Sequence, residues 1–419
     1  MALSKKPVTG MKDILPAEMQ IRDYVMGVIK ENYKKFGFTP IETPCVENIG
    51  NLSNKQGGEN EKLIFKIMKR GEKLNLETAK TEDDVVDGGL RYDLTVPLAR
   101  FYANNAATLP APFKALQIGS VWRADRPQKG RFRQFVQCDI DILGEASNLA
   151  EIELILATTT TLGKLGFKDF KVRINERRIL KAMTAYAGFK EEEFDTVFII
   201  LDKMDKIGLD GVEKELVESG FSKDSVDKYL TLFTELEAAE QPILFLAEKL
   251  EGFLEKEVAE SLFEIMESVS ETVDTQCQIL FDPTLVRGMS YYTGTIFEIE
   301  MPELGSSVAG GGRYDKMIGK FTGNDTPACG FSIGFERIVT ILLDQNYSIP
   351  TENTKIAYLI EKGVSGKQLQ DVIASAQAER KDGTQVLVAR MNKNKKFQKE
   401  QLMAEGYLAF KEFFKEALN

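Results

Sequence analysis

Apolar residues recur at helical spacing between positions 14 and 36. Ile21, Tyr24, Val25, Val28, Ile29, Tyr33 and Phe36 stand among charges, which predicts an amphipathic helix ended by Gly37. Phe38 to Pro44 follows as a short extended segment, and its two prolines restrict it to an edge or an interface strand. Residues 64–68 and 90–94 read as strands, the second leading into a helix opened near Thr95-Val96-Pro97. Residues 113–123 and 132–143 read as two strands around a loop rich in Arg, Lys and Gly. Residues 148–165 are helical in pattern, and so is most of 176–272, a charge-rich stretch without a catalytic grouping. From 278 the pattern returns to strands at 279–281 and 295–299, glycine-rich turns from Gly310 onward, and a helix at 335–344. A linker at 345–354 precedes an alternating tail: strand 356–360, helix 366–381, strand 385–389, a basic turn, and a helix at 397–415. The expected organisation is a core in two parts, 1–175 and 273–345, a mostly helical insertion at 176–272, and a small α/β unit at 355–419.

Composition narrows the chemistry. The chain has 419 residues, 28% charged and 43% hydrophobic, an ordinary globular profile. No apolar run approaches the roughly 20 residues needed to cross a bilayer, so no membrane partner is expected. The start has a small basic end with no apolar stretch behind it, which points away from secretion and toward the cytoplasm. Cys45, Cys138, Cys277 and Cys329 are isolated, which fits thiols in a reducing compartment better than disulfides or a zinc site. Histidine is absent, which excludes Ser-His-Asp and Cys-His triads, HExxH metal sites and any imidazole base. The remaining groups, Arg, Lys, Asp, Glu, Gln and Tyr, suit phosphate handling and electrostatic positioning. A net charge of −10 means that any nucleic-acid contact must use local basic patches.

Four constellations stand out. In 121–142, Val136, Cys138, Ile140 and Ile142 fall on one strand face, with Phe135, Gln137, Asp139 and Asp141 on the other. The preceding loop carries Arg123, Arg126, Lys129, Arg131 and Arg133. An aromatic ring beside guanidinium groups suits a nucleotide, the ring on the base and arginine on phosphate; a solvated face with ion pairs fits the same pattern. Leu285 to Glu298 places Arg287 before Tyr291 and Tyr292, which also reads as a hairpin with packed tyrosines. Ala309 to Asp315 is glycine-rich but matches neither GxGxxG nor a Walker loop. Gly330 to Arg337 reads as a strand-to-helix turn with Arg337 in the first helical turn, where the helix dipole disfavours a cation. An anionic ligand or a salt bridge with Glu336 would account for it.

Arg123 to Asp141, the Gly-Phe-Glu-Arg turn at 334–337 and the proline-bearing strand at 38–44 together resemble motifs 2, 3 and 1 of class II aminoacyl-tRNA synthetases. Arg91-Tyr-Asp-Leu-Thr, Arg126-Pro-Gln-Lys-Gly-Arg, Leu285-Val-Arg-Gly-Met-Ser-Tyr-Tyr-Thr-Gly-Thr and Gly311-Gly-Arg-Tyr-Asp narrow the resemblance to histidyl-tRNA synthetases. It covers nearly all of residues 8–343 and weakens after 395. It implies an α+β fold: a class II antiparallel sheet flanked by helices, with a helical insertion and a small C-terminal α/β domain. The activity implied is activation of L-histidine with ATP to histidyl-adenylate, ATP being a substrate accompanied by Mg2+, and transfer to histidine tRNA by a homodimer built on motif 1.

The resemblance also assigns roles. Arg123 would hold the α-phosphate and the amino-acid carboxylate. Arg287 would lie across the α-phosphate, in a role that a metal ion fills in other class II enzymes, and no metal-ligating side chains are expected. Phe135 and Arg337 would sandwich the adenine, and Arg131 would take the outer phosphates. Asp93 and Thr95 match the family's positions for the amino group, Gln137 would lie near it, and Leu94 is counted among the histidine-binding residues. Asp141 and Tyr292 match those that read the imidazole, and Tyr291 and Tyr314 complete the wall. Arg126 and Gln128 would face the acceptor end of the tRNA. Ser290 stands where the family usually has Asp, and the tail reads as ending in a long helix in place of the family's strand–strand–helix, as a shortened anticodon-binding-like domain. Lys393, Lys395, Lys396 and Lys399 there suit either a phosphate or a solvated turn. The regulatory subunit of ATP phosphoribosyltransferase is similar to this core without aminoacylating. It erodes the ATP-handling arginines that this chain keeps.

Overall fold

The computed structural model of the chain describes residues 3–53, 62–127, 131–287, 291–350 and 354–415. Two compact units emerge, one of residues 1–12 and 25–341, the other of 13–24 and 342–419.

Helix α1 (Pro16–Lys35) opens on a proline whose missing N–H costs nothing at that position. Its apolar stripe is buried: Val25, Ile29 and Tyr33 are fully covered. Strand β1 (Thr39–Pro40) follows, then β2 (Val46–Asn48), the one-turn α2 (Ile49–Leu52), β3 (Lys66–Met68) and β4 (Val86–Leu90). Helix α3 (Thr95–Asn105), β5 (Phe113–Trp122), β6 (Gln134–Leu143), α4 (Leu149–Lys164) and β7 (Phe170–Glu176) complete the first half. A helical run comes next: α5 (Arg177–Ala187), α6 (Phe194–Leu201), α7 (Met204–Glu218), α8 (Lys223–Glu237), α9 (Pro242–Lys249) and α10 (Lys256–Thr272). The chain then returns to the sheet through β8 (Cys277–Phe281), β9 (Thr295–Met301), β10 (Ser306–Arg313), the short α11 (Lys316–Thr322) and β11 (Ala328–Gly334), which runs straight into α12 (Phe335–Asp344).

Eight strands form one sheet in the order β1-β5-β6-β11-β10-β9-β7-β8. The six from β5 to β7 pair antiparallel with their neighbours, while β1 and β8 join the two edges in parallel. The antiparallel sheet flanked by helices is therefore present, and the proline-bearing segment at 39–40 lies on its edge. Helix α4 packs against this sheet, and Asn32 of α1 donates to its Thr161 Oγ1 at 2.7 Å. A second, three-stranded sheet, β2-β4-β3, lies beside the entry to α3.

Four sequence expectations need correction. The strand expected at 90–94 ends at Leu90. Arg91 turns away to bind carbonyls, Nη1 to Thr43 O at 2.6 Å and Nε to Ser120 O at 2.9 Å, and Asp93 Oδ1 accepts the Val96 N–H at 3.1 Å, as a helix start requires. The glycines at 310–312 lie inside β10, between β9 and β11, not in a turn. Strand β7 was not foreseen, although Phe170, Val172 and Ile174 alternate with Lys171 and Arg173 as a half-buried strand should. The helix expected at 397–415 is α14 (Lys395–Ala404) followed by a strand.

That strand, β14 (Ala409–Phe413), belongs to the second unit, with β12 (Lys355–Ile360), α13 (Gly366–Lys381) and β13 (Gln385–Arg390). The order is β13-β12-β14, all parallel. Gly406 takes φ 90°, a left-handed conformation that stops the helix and that a side chain resists. Phe413 then packs on Tyr358, ring centroids 4.9 Å apart. The basic cluster beside it is partly neutralised, since Lys395 and Lys399 both bind Glu412, at 2.9 and 2.5 Å. No described helix is long and apolar enough to cross a membrane.

Candidate active site

The polar face of β6 forms one wall of a cavity of about 110 Å³. Gln137, Asp139 and Asp141 project into it, and their register partners on β11 are Gly334, Ser332 and Gly330. The floor needs glycine for space. A methyl group on Gly330 would stand 2.0 Å from Asp141 Oδ1, and one on Gly310 would stand 2.6 Å from the Arg287 guanidinium. Gly311 meets Gly330 O at 2.0 Å from its own Cβ position, so β10 and β11 approach as only unsubstituted backbone can.

Three more segments close the cavity. The start of α3 brings Asp93 and Thr95, the end of β5 brings Arg123, and the loop before β9 brings Arg287, Tyr291 and Tyr292. Tyr314 enters just after β10. The tyrosines make an aromatic wall: Tyr291 stands 4.7 Å from Tyr292 and 6.1 Å, edge to face, from Tyr314. Tyr314 donates its hydroxyl to Asp141 Oδ1 at 2.6 Å. Asp141 is thus held by a tyrosine.

Among the described residues, four buried polar atoms of this cavity have no hydrogen-bond partner: Asp93 Oδ2, Gln137 Oε1, Asp141 Oδ2 and Arg287 Nε. Three are acceptors and one is a cationic donor. Unmade buried hydrogen bonds are costly, and native structures retain them where a ligand completes them. The ligand that fits carries several N–H donors and an anionic group.

The carboxyls feel their enclosure. Burial pushes Asp93 up to about 6, against hydrogen bonds from Val96 and Thr95 and the charge of Arg123. Burial pushes Asp141 up to about 7; the Tyr314 hydrogen bond opposes this and the Asp93 charge adds to it. Burial and then the charge of Asp141 hold Asp139 well above the carboxylate range. A carboxyl raised in this way favours folding when protonated. Its contribution is complete below about pH 4 and is lost as the pH climbs through 6 and 7. Asp141→Asn, which keeps an acceptor for Tyr314, should therefore raise the melting temperature of the free protein clearly at pH 8 and change it little at pH 4. Thermal unfolding at both pH values checks this, and an equal shift at the two would contradict it.

Arg123 and Arg287 line the cavity, and the arginines of the site have partners of their own. Arg287 Nη1 donates to Glu298 Oε2 at 2.6 Å, and Arg131 binds Asp125 Oδ2 at 2.8 Å. Arg123 Nε donates to Tyr92 O at 2.9 Å while its guanidinium lies 5.1 Å from the Phe135 ring centre. Arg337 sits in the first turn of α12 and donates to Ser307 O, while Glu336 Oε1 accepts from Val136 N–H at 3.2 Å. Burial lowers the pKa of Arg337; the charge of Glu298 opposes this, and those of Arg131 and Arg287 add to it, so these four groups share one region.

Asp93, Thr95, Arg123, Gln137, Asp141, Arg287, Tyr291, Tyr292 and Tyr314 all line the cavity. Leu94 does not: its side chain is buried in the core and its carbonyl accepts from Gln117 Nε2 at 3.1 Å. Arg126 is exposed, and Gln128 and Ser290 lie outside the described residues. Asp139, Ser332, Gly310, Gly311, Gly330 and Phe331 also line the cavity; they fall in the constellations named above, but the sequence assigned them no role. The strand alternation that selected Gln137 and Asp141 also contains Asp139. Ser332 could be placed only once β11 was paired with β6. Among the described residues, no group of three or more Cys, Asp or Glu side chains is arranged to hold a metal ion.

The histidyl-tRNA synthetase family model matches residues 10–338. The histidine–tRNA ligase of Leifsonia xyli subsp. xyli is 48% identical over 349 residues, 82% of this chain and 81% of that protein. That of Christiangramia forsetii is 38% identical over 377 residues, 84% and 80% of the two chains. The crystal structure of histidyl-tRNA synthetase from Nostoc sp. PCC 7120 superposes with a TM-score of 0.77 at 25% identity, over 97% of this chain and 90% of that one. An ATP phosphoribosyltransferase regulatory subunit/histidyl-tRNA synthetase from Bacillus halodurans superposes at 0.76 over both whole chains, but at 20% identity this likeness shows the fold alone. With a family model spanning most of its length and relatives close to half identical, the chain belongs to the histidyl-tRNA synthetase family.

Proposed function

We propose that this protein is a histidine–tRNA ligase, which activates L-histidine with ATP and transfers it to histidine tRNA. The observation that carries this reading is the set of unpartnered acceptors on Asp93, Gln137 and Asp141, opposed by Arg123 and Arg287 in one small cavity. Histidine is a zwitterion with a ring N–H. Its ammonium and ring supply the donors, and its carboxylate needs the cations. A site lined with buried polar groups rejects ligands that leave those groups unpaired, which is a means of selecting one amino acid.

Activation is attack of the histidine carboxylate on the α-phosphorus of ATP, with pyrophosphate leaving. Both reactants are anions, so positioning and charge neutralisation are the protein's main contributions. Arg123 and Arg287 would hold the two anionic groups in line. Phe135 and Arg337 would grip the adenine, and Arg131 the outer phosphates. ATP would enter with Mg2+ on its phosphates. Arg126 and Gln128 would face the acceptor end of the tRNA.

Further parts of the reading concern the whole molecule. We assign 1–175 and 273–345 to the catalytic core, 176–272 to an insertion and 355–419 to an anticodon-side domain, in a cytoplasmic enzyme. The engagement of Lys395 and Lys399 by Glu412 weakens the case for a phosphate-binding patch there. The edge position of 39–40 supports a dimer contact through that segment and α1. Sedimentation at micromolar concentration should give twice the 47.0 kDa chain mass, and a single-chain mass would contradict the dimer. The inactive regulatory-subunit alternative finds no support in these relatives. ATP–pyrophosphate exchange across a panel of amino acids tests the whole: L-histidine alone should support it. A folded protein that binds ATP but shows no exchange with histidine would overturn the assignment.

A further inference from the structure

One carboxyl of the cavity has no role in this account. Asp139 is 4% exposed and lies midway between Gln137 and Asp141 on the same strand face. Its register partner across β6 and β11 is Ser332, whose hydroxyl donates to Asp139 Oδ1. Ser332 Oγ in turn accepts from Gln137 Nε2 at 3.1 Å. Its partner on the other side, Gln117 of β5, is spent elsewhere: Nε2 on Leu94 O and Oε1 on the Thr43 hydroxyl, at 3.1 and 3.2 Å.

Counting protons gives this chain a direction. A serine hydroxyl has one proton. While Asp139 accepts that proton at Oδ1, with the proton that burial keeps on its carboxyl carried by Oδ2, the oxygen of Ser332 can only accept from its other neighbour. The Gln137 amide must then turn its NH2 group toward Ser332 and its carbonyl oxygen away. That oxygen is Oε1, one of the buried acceptors that lacks a partner among the described residues. With Asp139 removed, the hydroxyl is free to rotate and donate to the amide carbonyl. Gln137 would then offer N–H groups to the cavity, which repel a cation.

We infer that Asp139 and Ser332 are positioning residues that fix the Gln137 amide with its carbonyl oxygen facing the cavity, as the acceptor for the α-ammonium of the bound amino acid. This rests on the histidine-activating reading and deepens it. Asp139 and Ser332 touch no substrate in this scheme and act through Gln137. The recognised chemistry is the ammonium group, independent of the ring contacts at Asp141 and Tyr292.

The test uses the full-length protein and two ligands, L-histidine and imidazole-4-propionate, which has the same ring and carboxylate without the ammonium. Ser332→Ala and Asp139→Ala should weaken histidine binding by about ten- to a hundredfold in calorimetric titration. Binding of the des-amino ligand should stay within about twofold of wild type. In ATP–pyrophosphate exchange the loss should appear in the histidine KM, with kcat at saturation nearly kept. Asp139→Asn retains an acceptor for Ser332 and should recover most of the affinity. In a Gln137→Ala background, Ser332→Ala should add nothing further. Ser332→Ala removes a single oxygen and decides the matter if Asp139→Ala does not fold. Parallel weakening of both ligands would overturn the relay alone. A wild-type protein that binds neither ligand would overturn both the relay and the ligase reading.

Discussion

Arg287→Ala should lower the rate constant of adenylate formation by about a hundredfold or more, with the histidine KM almost unmoved. Arg287 reaches the cavity from the loop before β9 and is anchored by Glu298 at 2.6 Å, while its buried Nε has no partner among the described residues. Gly310 leaves room for the guanidinium, whose place a side chain would take. A donor preorganised in this way gains most when charge shifts onto the oxygens around the α-phosphorus, so its loss falls on the chemical step. The truncation also leaves Glu298 without its cation beside the nucleotide region. Arg287→Lys, which keeps one charge but not the planar fork, should fall between wild type and Ala. Single-turnover adenylation, with ATP binding as the folding control, measures the effect. Equal rates in the variant and the wild type would remove Arg287 from the mechanism.

Asp141→Ala should weaken histidine binding by about ten- to a hundredfold and leave ATP affinity in place. Asp141 Oδ1 is occupied by the Tyr314 hydroxyl, and the buried Oδ2 remains for the ring N–H. Arg123, Arg131, Phe135 and Arg337 are untouched by the change, so the nucleotide should not sense it. Removing the carboxylate also strands the buried Tyr314 hydroxyl, which costs roughly 1–3 kcal/mol, and relieves an expensive buried charge at neutral pH. These two effects oppose each other in the melting temperature, so binding is the sharper readout. Titration of the variant with histidine and with ATP separates them. Normal histidine affinity would refute the assignment of Asp141 to the ring.

Helices were legible where the apolar periodicity was sustained. The helix at 335–344 stands where its periodicity placed it, and α4 and α13 lie within a residue of expectation. Elements that rely on long-range pairing were harder to read. Residues 397–415 have helix-forming composition throughout, yet only Gly406 and the parallel edge offered by β12 turn the last part into a strand. The glycines at 310–312 read locally as a turn because glycine disfavours strands. They are strand residues here because two neighbouring strands and the Arg287 side chain leave no space for a Cβ.

The site divides in the same way. Two-residue alternation along 135–141 put Gln137, Asp139 and Asp141 on one face, and the motif residues around Arg123, Arg287 and Arg337 marked the family, so the sequence alone determined the chemistry on offer and its ancestry. Which of those groups are satisfied and which await a ligand was decided only in three dimensions. Tyr314 covers one oxygen of Asp141, Ser332 stands between Asp139 and Gln137, and Glu298 holds Arg287. Each of these partners lies at least 11 residues away along the chain. Hydrogen-bond direction and burial depend on distances of a few ångströms between such segments, and residue type and local spacing carry no record of them until the sheet has paired.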